Sequence, residues 1–170
     1  ESVLKELRHV WPGFEWRLAL VHREALVRSA RVEPIALLDE AVSEAGARRW
    51  DYTFVITSAD LVGHYQPFSR ATVARSLAAA AISTVRIDPA HSDPTAPEAA
   101  RIQMIAGRLR VLVLHSLSHL IGLGHSTLAG NVMNHSNVSE DVDWAAGFDA
   151  EQIDQIAGLL FEVADPRLEE

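Results

Sequence analysis

The eleven residues from His115 to His125, "HSLSHLIGLGH", constrain this chain more than any other stretch. His115 and His119 stand four residues apart. At about 3.6 residues per turn their rings fall on one helix face, one above the other, so both reach a single ion. Gly122 follows three residues later, where a positive φ ends a helix at no steric cost. His125 comes three residues after that, close enough to supply a third nitrogen. A lone histidine on an apolar helix is usually a packing residue. Three of them with a glycine at the required break predict one Zn2+ held by His115, His119 and His125, with a fourth position left open.

The remaining sequence narrows the class. A chain of 170 residues is one ordinary domain with room for a real core. Its 48% hydrophobic and 22% charged residues are those of a soluble globular protein, which argues against disorder. The net charge of -8 leaves no basic excess to replace phosphate counterions, so nucleic acid is not an expected partner. The absence of cysteine removes disulfides, thiolate zinc ligands and a cysteine nucleophile together. It fits the cytoplasm without excluding an exported chain whose signal has been removed. The longest uncharged run, Val111 to Ser139, is too rich in His, Ser, Asn and Gly for a membrane span. No coiled-coil pattern demands an oligomer, and a monomer is expected.

Periodicity gives a mixed α/β (α+β) chain without repeats or linkers. Ser2 to Leu7 suggests a short helix before the turn at Trp11-Pro12-Gly13. "FEWRLALVHREAL" alternates as a strand would, with Trp16, Leu18 and Leu20 on one face. From Pro34 a helix is expected to bury Ile35, Leu38, Val42 and Ala45. "DYTFVITSADL" and "AISTVRIDP" read as strands, with Asp51 and Asp60 as turn residues. A long helix is expected to be capped by Asp93 or Thr95 and to run to Gly122. Asp149 and Gln152 stand at capping-box spacing before a last helix, Ala150 to Val163. Arg48-Arg49 and Arg108/Arg110 read as solvated faces, and His9, His22, His64 and His91 as surface or local packing residues.

The pattern His115-x-x-x-His119-x-x-Gly122-x-x-His125, followed by Met133 in "NVMNHSN", resembles the zinc signature and Met-turn of the metzincin metallopeptidases, and is most similar to the archaemetzincins. The resemblance implies a two-lobe fold over residues 1–170. The upper lobe, about 1–122, would hold a twisted mixed sheet and the helix of His115 and His119. The lower lobe, about 123–170, would carry His125, the Met-turn and the final helix. Met133 would floor the metal. A peptide or protein ligand would lie in the cleft between lobes, along an edge strand near Gln66 to Val73.

Three positions depart from that family. Where it has a glutamate, the general base that takes a proton from the attacking water and hands it to the leaving amine, this chain has Ser116. A neutral hydroxyl does not accept that proton, so little proteolysis is expected. The alternatives are a hydrolase with a substitute base or an easier substrate, and a deliberately inactivated peptidase. Glu140, Asp141 and Asp143 are the nearest acids that a fold-back would bring to the cleft. His135, two residues after Met133, is a candidate fourth ligand, oxyanion donor or base, or simply a loop histidine. Ser126 and Asn131 replace cysteines that typically hold a second zinc in archaemetzincins. They predict a hydrogen-bonded loop and one zinc at most.

Overall fold

The computed structural model describes residues 2–23, 29–63, 68–91, 93–134 and 139–163. Helix α1 spans Ser2–Val10, and a two-residue strand β1, Arg31–Val32, precedes helix α2, Pro34–Arg48. Strands β2 (Thr53–Thr57), β3 (Asp60–Leu61), β4 (Ala71–Ala74) and β5 (Ala79–Ser83) follow. The long helix α3, Glu98–Ile121, and the last helix α4, Ala150–Val163, complete the chain.

The sheet is mixed. β5 lies at its centre, parallel to β2 and antiparallel to β4, so β4 forms an edge. The central strand "AAAIS" is buried throughout, because a helix covers each face. Ala79 and Ala81 face α2, whereas Ile82 packs with Val111 and Leu112 of α3. The alternation is that of any strand. Alanine on the α2 side lets that helix approach closely, and this selects which stripe it buries. Leu37, Leu38 and Ala41 form the stripe, with Ile35 and Val42 left exposed. Two overlapping stripes satisfy the helical period, and only the shape of the sheet decides between them.

α3 is the central element. Leu114, Leu117 and Ile121 pack with Leu7 and Trp11 of the N-terminal region, Met133, and Ile156 and Leu160 of α4. The Trp11 indole donates to the Ile153 carbonyl at 2.9 Å, tying the first turn of the chain to the last helix. Among the described residues α3 alone has the length and apolar composition of a membrane span, but half of that stretch is buried inside the protein.

Several expected elements are corrected. Residues 14–23 form no strand; Leu18 and Leu20 lie exposed, because no described neighbour offers the ladder that would satisfy a strand there. The strand at residue 79 ends at Ser83, and Val85–Ile87 close into a 3-10 turn. Neither Asp93 nor Thr95 caps α3. Pro97 occupies the cap, and the Asp93 carboxylate instead accepts from the Thr95 amide and hydroxyl in its own turn. The capping box of α4 forms as expected: the Gln152 amide donates to Asp149 at 2.9 Å, and the Asp149 amide to Gln152 Oε1 at 3.2 Å.

Arg48 and Arg49 are exposed, as expected, whereas Arg108 and Arg110 are structural. Arg110 pairs with Glu6. Arg108 is only 3% exposed and forms a fork to Asp143 at 2.8 and 2.7 Å, with a third bond to the Ile87 carbonyl. Its place four residues before Leu112 and three before Val111 puts it on the buried stripe, a signal present in the sequence. Asp60 is likewise no simple turn residue; buried at the start of β3, it binds Arg86 through both oxygens. Removing the acid from Arg108 strands a buried cation. Asp143→Ala is therefore expected to cost about 3 kcal/mol, the lower end of such losses because Asp143 is partly solvated. A denaturant midpoint within error of wild type would contradict this.

Candidate metal centre

α3 carries His115 and His119 on one face. Gly122 ends it with φ 124, and the Gly122 amide closes the last turn on the Ser118 carbonyl. A Cβ at that glycine would meet Arg75 Nη2 at 2.6 Å, the movable end of an exposed side chain, so it is the backbone angle that demands glycine. The chain then turns and brings back His125. The nitrogens available from His115, His119 and His125 all lie within 4.8 Å of one another.

The ring orientations are fixed from behind. His115 Nδ1 lies 2.8 Å from the Val132 carbonyl, and His119 Nδ1 lies 2.9 Å from the Leu123 carbonyl. A carbonyl only accepts, so both Nδ1 atoms carry the proton, and in the neutral rings both Nε2 atoms present lone pairs. Yet His119 Nε2 stands 3.0 Å from His115 Nε2 and 3.1 Å from His125 Nε2. Lone pairs aimed at one another repel unless a cation sits between them. Zinc–nitrogen bonds of about 2.0–2.1 Å at tetrahedral angles separate two ligand nitrogens by about 3.3 Å, and the observed spacing is slightly tighter. The three imidazoles fit one Zn2+. Burial pushes the His119 imidazole down from its ordinary pKa, which favours the neutral form that ligates.

Met133 is fully buried, in a turn whose geometry Asn131 sets. Asn131 Oδ1 accepts from the Met133 amide at 2.8 Å, and its Nδ2 donates to Gln152 Oε1 at 2.8 Å. The loop is thus anchored to the capping box of α4. Ser126 bonds elsewhere, its hydroxyl accepting from the Leu128 amide while its amide donates to the Met133 carbonyl. The two positions each secure their own part of the loop, and the hydrogen bonds described do not join them to each other.

A cleft of about 800 Å3 opens in front of the histidines. Its described walls include edge-strand residues Ala71 and Val73, Ser116 of α3, and Val132, Trp144 and Ala145 from beyond the third histidine. No aspartate or glutamate is among the described residues that line it. Asp143, a candidate substitute base, is instead engaged by Arg108. The side chains of Glu140 and Asp141, together with His135, His64, Gln66 and Pro67, lie outside the described residues. His9 and His22 are exposed, as expected.

Ser116 is 0% exposed, and its hydroxyl has no hydrogen-bond partner among the described residues. Ser118, two residues on, shows the usual resolution: its hydroxyl donates to the Leu114 carbonyl at 2.9 Å. A buried unpaired hydroxyl costs about 1–3 kcal/mol. Ser116→Ala is accordingly expected to raise stability by about 1 kcal/mol, measured by denaturant unfolding; a loss of that size would show that the hydroxyl has a partner.

Sequence reasoning missed the Val132 and Leu123 carbonyls that orient the ligands. Every residue carries a carbonyl, so nothing in the sequence marks them. It also missed Arg75 against Gly122.

The fold is shared with solved structures of archaemetzincins and of a zinc-dependent peptidase. In particular, the chain superposes on an archaemetzincin from Methanopyrus kandleri with a TM-score of 0.71, at 18% identity over 94% of this chain and 84% of that one. A zinc-dependent peptidase from Methanocorpusculum labreanum gives 0.66, at 17% identity over 91% of each chain. An archaemetzincin from Archaeoglobus fulgidus, solved with malonate, gives 0.50 at 23% identity over 62% of this chain and 60% of that one. No protein-family model and no curated protein matches the sequence. The likeness lies in the fold.

Proposed function

We propose that this protein is a zinc-binding relative of the archaemetzincin peptidases that receives a peptide or protein in its cleft and cleaves it poorly or not at all. His115, His119 and His125 hold the metal. Met133 is its apolar floor, and the lobes divide at about residue 122. A zinc ion in such a site supplies Lewis acidity toward a carbonyl.

The chain's own residues do the remaining work. The Val132 and Leu123 carbonyls hold His115 and His119 in the tautomer that ligates. β4, the sheet's edge, lines the cleft and offers backbone groups to an extended peptide. The proton that must leave an attacking water has no described acceptor in the cleft.

One observation carries the reading: Ser116 occupies the position after the first histidine, and no described carboxylate lines the cleft in its place. The test compares zinc-loaded wild type with Ser116→Glu on a peptide library. Cleavage confined to the glutamate form supports the proposal, and equal cleavage by both forms overturns it in favour of a hydrolase with another base.

A further inference from the structure

The most anomalous side chains near the cleft are two exposed aromatic rings. Trp144 is 80% exposed, whereas Trp11 is 3% exposed in the core. Phe68 is 44% exposed. Both line the same cleft as the histidines, Phe68 from the segment that leads into edge strand β4 and Trp144 from the segment beyond the third histidine. An exposed tryptophan is costly in water and rewarding under a ligand, which is why such rings dominate binding hot spots.

Neither ring is carried on a loose segment. The Arg86 guanidinium lies over the Phe68 ring, 4.1 Å from its centroid, and is fixed in turn by Asp60 at 2.8 and 2.7 Å. Asp143, immediately before Trp144, is forked to buried Arg108, which also bonds the Ile87 carbonyl. Two forked arginine–aspartate pairs therefore hold the two aromatic positions. Such anchoring lowers the ordering cost of binding.

We infer that Phe68 and Trp144 are specificity-determining residues that select an extended peptide bearing a bulky apolar or aromatic side chain. The inference rests on the reading of this cleft as a peptide site. The peptide adds to β4, and the side chain it presents toward the cleft is gripped between the two rings. A small or charged side chain at that place leaves both rings wet and gains nothing from them.

The test uses four acetylated, amidated pentapeptides, Gly-Gly-Xaa-Gly-Gly, with Xaa as Phe, Leu, Ala or Glu. Each is titrated into zinc-loaded protein and followed through the backbone amide NMR shifts of Ala71 to Ala74. The Phe peptide is expected to bind about 10-fold more tightly than the Ala peptide. Trp144→Ala and Phe68→Ala should each bring that ratio below about 3-fold with the Ala peptide's affinity unchanged, while Trp144→Phe should retain most of it. Equal binding of all four peptides, or a preference that survives both alanine variants, overturns the inference, as does failure of every peptide to bind at millimolar concentration. Zinc content is measured separately. A preference for Phe without bound zinc would sink the metal reading and leave this one standing; bound zinc with no preference would do the reverse.

Discussion

Replacing Ser116 with glutamate should raise peptide hydrolysis by about 10²- to 10⁴-fold, the usual contribution of a positioned general base. That factor equals about 3–5.5 kcal/mol of transition-state stabilisation. The substitution must also make room for a carboxylate, because the Ser116 side chain is fully buried. Position 116 already lies in the cleft wall, one residue after a ligand whose tautomer is fixed by the Val132 carbonyl. It also removes a hydroxyl that has no partner among the described residues. Hydrolysis is read with a quenched fluorescent peptide library at matched zinc occupancy, so that a change in metal loading is not mistaken for a change in chemistry. Wild type cleaving as fast as the variant would place the base elsewhere. A silent variant that still binds zinc would show that more than the base has been lost.

His119→Ala should take bound zinc from about one per chain to below about 0.1. His119 is the ligand the structure makes least replaceable. Its Nε2 stands between those of His115 and His125, at 3.0 and 3.1 Å, and its ring is oriented by the Leu123 carbonyl. The loss has a second readout. A ligand at about 1,000 times its dissociation constant stabilises a fold by about 4 kcal/mol, so wild type should melt higher in excess zinc and fall back with chelator. His119→Ala should melt at one temperature in both. His9→Ala, which alters an exposed residue of α1, should behave as wild type. Wild-type protein that stays metal-free in excess zinc would remove the premise beneath the functional proposal.

The helices and the site were more legible than the strands. α4 begins where Asp149 and Gln152 stand three apart, because a capping box is a local contract between one side chain and one amide. α3 ends at Gly122 because few other residues accept that φ. Alternation at Trp16, Leu18 and Leu20 misled, since a strand is stable only beside another strand. Arg108 misled differently: its charge suggested solvent, while its place on the stripe with Val111 and Leu112 buried it against Asp143.

By itself, the sequence determined the three histidines that fit one Zn2+, the break that returns the third of them and the serine that follows the first, since residue identity and helical period are local properties. Only the tertiary structure decided which carbonyls lock the imidazoles, which acid Arg108 holds, and that two exposed aromatic rings share a cleft with the metal ligands. Those depend on residues far apart along the chain meeting in space, and no local pattern encodes such a meeting.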